Sequence, residues 1–66
     1  MIAGIVIDNW KQDIFERTLR SSGFKYEIKD GISLSEKLIK VNTDNVGLLA
    51  KVVERANQRA ALSIAH

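Results

Sequence analysis

The segment Ile2–Ile7 constrains the fold more than any other part of the chain. Its sequence, Ile-Ala-Gly-Ile-Val-Ile, is apolar and rich in β-branched side chains, and the polar residues Asp8 and Asn9 follow it directly. A short apolar run of this kind is typical of a β-strand that lies inside a sheet rather than at its edge. We therefore expect a sheet in which this segment is a central strand.

Helical periodicity appears twice along the chain. Asn9 and Gln12 have the spacing of a capping box, and apolar side chains then recur on one face of a first helix. A second helix is expected to begin at Thr43 or Asp44, which are both good N-cap residues, and to continue to about Ala61. The sequence thus predicts two amphipathic helices.

Two further strands are predicted between the helices. Apolar and charged side chains alternate from Phe24 to Lys29, which is the pattern of a strand with one buried face. Lys37–Asn42 is the third strand, with Ile39 and Val41 directed inward. The tail Leu62–His66 either extends the second helix or forms a short fourth strand.

The predicted order is β-α-β-β-α, with the fourth strand at the C-terminus left open. This is the split β-α-β pattern of ferredoxin-like α+β folds, and residues 1–66 then form one domain. We expect the first and third strands to be parallel neighbours in the middle of the sheet, with both helices on one face. The apolar edge of the first strand needs cover, either from the tail or from the same strand of a second subunit.

The small size of the chain predicts self-association. A domain of 66 residues buries a modest share of its surface, and such domains usually depend on disulfides, a structural metal or a partner subunit. There is no cysteine and a single histidine, His66, so neither a disulfide nor a His- or Cys-based metal site is expected. We therefore expect a homo-oligomer without a metal or another cofactor.

Charge and hydropathy narrow the classes of partner. The net charge is +2, and acidic and basic residues alternate along the chain instead of forming a basic cluster, which argues against a nucleic-acid partner. No apolar run approaches the roughly 20 residues of a transmembrane helix. We expect a cytoplasmic protein. We do not expect an enzyme, because the sequence contains no recognisable catalytic set or phosphate-binding loop.

The expected topology would bring two polar segments together. Parallel neighbouring strands end at the same edge of a sheet, and each of these two strands leads into a helix N-terminus, which favours an anionic or polar ligand. An aromatic side chain there could stack on a flat ring. The candidate ligand-binding residues are Asp8, Asn9, Trp10, Asn42, Thr43, Asp44 and Asn45. A simpler interpretation is that these residues cap the helices and that Trp10 belongs to the core.

Two resemblances suggest functions. The pattern Asp-x-x-Gly-Leu-Leu-x-x-Val at the start of an ACT domain is similar to a segment formed by Asp44, Gly47, Leu48, Leu49 and Val52. This resemblance implies a dimer that binds an amino acid at a subunit interface and regulates another activity.

The second resemblance covers most of the chain. The segments Ile2–Lys11, Ile14-Phe15 and Lys40–Asp44 resemble short uncharacterised proteins encoded in phage and prophage genomes. It implies an accessory protein that acts by binding, for example by inhibiting host defence or by sequestering a small signalling molecule, in the cytoplasm of the host cell.

We therefore expect a small non-enzymatic binding protein of the phage type that self-associates and acts through protein contacts, with a host protein as a partner. The alternative is small-molecule binding at a subunit interface, either of an amino acid, as in an ACT domain, or of a sequestered nucleotide.

Overall fold

The computed structural model describes residues 1–64 and consists of a three-stranded β-sheet and two α-helices. The strands are β1 (Ile2–Asp8), β2 (Lys25–Asp30) and β3 (Glu36–Asn42). The helices are α1 (Gln12–Ser21) and α2 (Val46–Ile64), and a 3-10 turn, Asn9–Lys11, joins β1 to α1. The α+β class and the order β-α-β-β-α are therefore confirmed.

The strands lie in the order β1-β3-β2, and β3 runs antiparallel to both of its neighbours. The expectation that the first and third strands are parallel is wrong. The loop 31–35 is too short for anything but an antiparallel hairpin between β2 and β3, whereas α1 is a crossover that lets β1 and β2 run in the same direction. A strand inserted between β1 and β2 must then oppose both.

The expectation that Ile2–Ile7 forms a central strand is also wrong, because β1 lies at the edge of the sheet. The central strand is β3, where Ile39 and Val41 are fully buried. A continuous apolar run predicts that a strand is covered by apolar neighbours on both of its faces. It does not predict whether those neighbours belong to the same chain.

Both helices pack on one face of the sheet. Phe15 and Leu19 of α1 meet the inward side chains of β3 and the buried side chains of α2. The guanidinium of Arg59 on α2 donates a hydrogen bond to Thr18 Oγ1 on α1 at 3.1 Å, which joins the two helices beside the core. The buried apolar residues are Ile7, Phe15, Leu19, Ile39, Val41, Leu49, Val52, Ala56 and Ala60.

The second helix is longer than expected. It continues to Ile64, beyond the predicted end at Ala61, so the first three residues of the tail Leu62–His66 are helical. No fourth strand is formed within residues 1–64, and Ala65 and His66 lie outside the described residues. Neither a glycine nor a proline interrupts the end of this helix, and its apolar stripe reaches the buried Ala60.

Two glycines are required by the backbone around β2. Gly23, after α1, has φ = 81°, which is the left-handed conformation expected of a helix C-cap. At Gly31, after β2, an added Cβ would lie 2.8 Å from the carbonyl oxygen of Glu36, to which the Gly31 N–H donates a hydrogen bond. The tight approach of Gly31 to Glu36 closes the base of the 31–35 loop.

The core interpretation of Trp10 is wrong, because this side chain is 48% exposed. It lies in the 3-10 turn, where no residue is buried, and the Lys11 ammonium lies 5.4 Å from the centre of its ring. The aromatic residue that fills the core is Phe15, which is 1% exposed. The difference follows from the turn, which delays the start of α1 to Gln12 and places Trp10 outside the apolar stripe of the helix.

This difference predicts how two aromatic truncations affect stability. Phe15→Ala removes a fully buried ring, so we expect the free energy of unfolding to fall by about 3–5 kcal/mol. Trp10→Ala removes a half-exposed ring, so we expect a loss of about 1–2 kcal/mol and a folded protein. Denaturant titration followed by far-UV circular dichroism measures both losses. An equal or greater loss for Trp10→Ala would contradict the half-exposed position of Trp10.

An ion pair at the base of the hairpin predicts a pH-dependent contribution. The Lys37 ammonium donates a hydrogen bond to Asp30 Oδ1 at 2.9 Å, and this bond, together with the charge of the ammonium, lowers the pKa of Asp30. A lowered carboxyl pKa stabilises the fold above the pKa of the unfolded chain, and this stabilisation is lost as the pH falls through the pKa of the folded state. We expect Lys37→Gln to raise the pKa of Asp30 toward its ordinary value.

Nuclear magnetic resonance titration of the Asp30 carboxyl carbon measures this pKa directly. Lys25→Gln is the matched control, because it removes the same charge from the other end of β2. Equal pKa values for Asp30 in the two variants would show that the ion pair is not formed in solution.

Candidate functional site

The seven candidate residues lie in two groups at opposite ends of β1. Asp8 is paired with Glu36, whereas Asn42 is paired with Ile2 at the far end of the same two strands. Six residue steps of about 3.3 Å separate these ends by about 20 Å. Asp8, Asn9 and Trp10 are therefore not brought together with Asn42 to Asn45 within one chain. The predicted juxtaposition is wrong, since it depended on parallel strands.

The group Asp8–Trp10 is tied to the loop between β2 and β3. The backbone N–H of Asn9 donates to the carbonyl oxygen of Ser35 at 2.9 Å, and its side-chain Nδ2 donates to the carbonyl oxygen of Leu34 at 2.7 Å. Asn9 therefore does not form the predicted capping box with Gln12, whose amide donates to Glu16 instead. Asn9 fixes the loop against the end of β1.

The group Asn42–Asn45 forms the entry to α2. Thr43 Oγ1 accepts a hydrogen bond from the N–H of Asn45, and Asn45 Oδ1 accepts one from the N–H of Leu48, both at 3.0 Å. The N-cap residue is thus Asn45 and not Thr43 or Asp44 as predicted. Asp44 projects into solvent, with Oδ1 3.4 Å from the Met1 ammonium. For Thr43 and Asn45 these contacts agree with the simpler interpretation, in which the residues shape the helix start.

An exposed apolar group, which we call the loop-tip patch, lies at the Asp8 end of the sheet. It consists of Ile32 and Leu34, both fully exposed in the 31–35 loop, and the half-exposed Trp10 in the adjoining turn. The hydrogen bonds of Asn9 to this loop connect the two segments. From the sequence alone, Ile32 and Leu34 are expected in a loop that folds back onto the core, and their full exposure does not agree with that expectation.

The face of the sheet opposite the helices, which we call the open face, is partly apolar. Ile2 and Val6 of β1 are exposed on it, and Leu38 of β3 lies beside Val6. A shallow concavity occurs at its Ile2 end. The concavity is lined by Ile2, Lys25, Tyr26, Glu27, Lys40 and Asn42, so that Asn42 alone of the candidate residues contributes to it.

The outer edge of β1 is without a partner in the part of the chain that the structure describes. Hydrogen bonds at both strand ends set the direction of its backbone groups: the N–H of Thr43 donates to Met1, and that of Asn9 donates to Ser35. Hydrogen-bonded pairs alternate with non-bonded pairs in an antiparallel ladder, so the odd-numbered residues of β1 face β3. The N–H and C=O groups that point away from the sheet belong to Ile2, Gly4, Val6 and Asp8.

The remaining polar clusters have structural roles. Tyr26 on β2 donates a hydrogen bond to Glu16 at 3.1 Å and accepts one from Arg20 at 3.0 Å, so this network attaches α1 to the sheet. Within residues 1–64 there is no group of three His, Cys, Asp or Glu side chains that could hold a metal ion. In the same part of the chain, neither helix has the length and apolar character needed to cross a membrane.

The chain matches no family model, no curated protein and no solved structure. The resemblances to phage-type proteins and to the ACT motif therefore stay predictions. The candidate functional surface is an interface that consists of the open β1 edge, the adjoining open face and the loop-tip patch.

Proposed function

We propose that this protein is a small non-enzymatic binding protein that self-associates through β1 and acts through contacts with other proteins. The observation that carries the proposal is the outer edge of β1. It presents outward-directed backbone groups from four residues, and the strand has no charged side chain before Asp8. An edge of this kind pairs readily with another strand, because its N–H and C=O groups and its apolar side chains are all available.

The other edge of the same sheet supports this assignment by contrast. β2 carries the exposed charged residues Lys25, Glu27 and Lys29. Charged side chains, and lysine in particular, are the usual protection of an edge strand against association. β1 has Ile2, Gly4 and Val6 at the corresponding positions. The two edges therefore differ in the way expected if β1 alone pairs with another chain.

The loop-tip patch supports contacts with a different protein. Trp10, Ile32 and Leu34 lie at the end of the sheet, where they project from a turn and a loop and do not cover the core. Exposed aromatic and large aliphatic side chains often anchor a protein interface, and three of them occur at this one end of the sheet. We assign this patch to the partner protein and the β1 edge to self-association.

The proposal also includes a ferredoxin-like fold and a phage-type origin of the protein. A sheet in which β3 separates the parallel strands β1 and β2 supports a ferredoxin-like arrangement without its fourth strand. The resemblance of most of the sequence to phage-type proteins supports an accessory role in a host cell, with a host protein, such as one of its defence proteins, as the target. Small-molecule binding at a subunit interface stays the alternative, whereas a site within one chain loses its support because the two halves of the predicted site lie apart there.

Self-association is tested by a matched pair of Val→Lys substitutions. Val6 and Val46 are similarly exposed, at 53% and 46%, but Val6 lies on the β1 edge and Val46 at the start of α2. We expect sedimentation analysis at micromolar concentration to give a dimer mass for the natural sequence and for Val46→Lys. We expect a monomer mass for Val6→Lys, because two lysines would be brought onto a shared apolar seam.

The circular dichroism spectrum of Val6→Lys should be unchanged, since the side chain faces solvent. A monomer mass for the natural sequence, or a dimer mass for Val6→Lys equal to that of the control, would contradict the proposal.

Hydrogen exchange tests the same edge without a substitution. The N–H groups of Ile5 and Ile7 face β3, whereas that of Val6 points outward. In a lone chain we expect Val6 to exchange quickly between two slow neighbours. If a partner strand covers the edge, all three amides exchange slowly, and Val6 becomes faster on dilution to the monomer. Fast exchange of Val6 at every concentration would show that the edge is not covered.

A further inference from the structure

We propose that the open edge is occupied by β1 of a second copy in one antiparallel register, in which Ile5 lies opposite the partner's Ile5. The inference rests on the proposed self-association and goes further by assigning the residue pairs of the interface. It follows from the direction of the backbone groups, the sizes of the side chains and the charge of Asp8 at one end of β1.

The backbone limits the possible registers. The outward N–H and C=O groups of β1 belong to its even-numbered residues, so a second β1 strand can form bonds only where even residues oppose even residues. In the register centred on Ile5, Ile2 lies opposite the partner's Asp8 and Gly4 opposite the partner's Val6. All outward groups of the seven-residue strand are then paired. A shift of two residues in either direction leaves Asp8 or Ile2 unpaired in both copies.

Side-chain sizes favour the same register. Gly4, opposite the partner's Val6, has open space beside it, since an added Cβ would meet only Leu38, at an ordinary contact distance of 3.5 Å. On the core side, Ala3 lies opposite the partner's Ile7. Small residues thus oppose large ones on both faces, which lets the half-buried Ala3 and Ile5 pack against the second copy.

Charge selects an antiparallel copy over a parallel one. Asp8 and Glu36 lie opposite each other at one end of the open face, where two negative charges repel. The other charged side chains of this face, Lys25, Glu27, Lys29 and Lys40, are of both signs and lie on β2 and β3, so Asp8 is the one charged side chain of β1 itself. An antiparallel copy places Asp8 opposite the partner's Ile2, whereas a parallel copy in register would place Asp8 beside the partner's Asp8.

The dimer has a consequence for the two polar segments that β1 separates. With the strands antiparallel, the Asp8 end of one copy lies two strand spacings, or about 10 Å, from the partner's Asn42. Within one chain the separation is about 20 Å. The two polar segments, which were expected to meet within one chain, thus approach each other across the subunit boundary.

Cysteine cross-linking tests the register, because the natural sequence has no cysteine. Gly4→Cys and Val6→Cys are mixed in equal amounts and oxidised gently, and mass spectrometry distinguishes the mixed disulfide from the two symmetric ones. Directly opposed residues in a hydrogen-bonded antiparallel pair have Cα atoms about 5.5 Å apart, within the range of a disulfide. Two Gly4 residues would be more than about 7 Å apart and could not be bridged without movement.

We expect the mixed disulfide to make up more than half of the cross-linked dimers, which is the share that random pairing would give. Each variant alone should cross-link poorly. Efficient cross-linking of Gly4→Cys alone, or of Val6→Cys alone, would show a shifted register. The inference would then be wrong, while self-association would stand. A natural sequence that sediments as a monomer would overturn the proposed function as well.

A second measurement needs no substitution. In a dimer of labelled and unlabelled natural chains, the register brings the α-protons of Ala3 and the partner's Ile7 together as a non-hydrogen-bonded pair. We expect a nuclear Overhauser effect between these protons across the subunits. Its absence in a protein that sediments as a dimer would overturn the register whatever the cysteine variants do.

Discussion

The hydrogen-bond ladder between β1 and β3 is the interaction on which the rest of the structure depends. Its register places Ile39 opposite Ile5 and Val41 opposite Ala3, so that the apolar side chains of both strands lie under the helices. A slip of one residue would exchange the two faces and expose the core side chains of β1. The same register decides which backbone groups of β1 are used within the chain and which point outward.

Local patterns in the sequence were sufficient for most of the elements. The alternation around Tyr26 and Ile28 and the apolar stripe of α2 predicted a strand and a helix that the structure contains, because periodicity reports directly which side chains are buried. The end of α2 was less well defined, since good helix formers extend past Ala61 without a stop signal. Its start was displaced because Thr43, Asp44 and Asn45 are all acceptable caps, and the choice depends on backbone geometry.

The candidate site was less predictable because it depended on the direction of strands that are distant in sequence. The tight hairpin at Gly31 made β2 and β3 antiparallel, and the α1 crossover fixed β1 relative to β2. Together these facts require β1 and β3 to be antiparallel, so the direction followed from connection lengths that the sequence contained. The position of Trp10 did not follow from the sequence in this way, because a single 3-10 turn rotates its side chain away from the apolar face of the helix. No pattern distinguishes such a turn from the first turn of a helix.

The edge position of β1 and the small core of the chain would both be compensated by the same interaction. A strand with the composition of a central strand at the edge of a sheet has more apolar surface than its own chain can cover. A domain of this length also has a thin margin of stability, since its buried core is small. Pairing of β1 with a second β1 would resolve both at once, because the strand would then lie in the middle of a six-stranded sheet with helices on one face. The sequence of β1 would in that case describe its position correctly in the dimer and incorrectly in the single chain, and association would add to the stability of a fold that the single chain already forms.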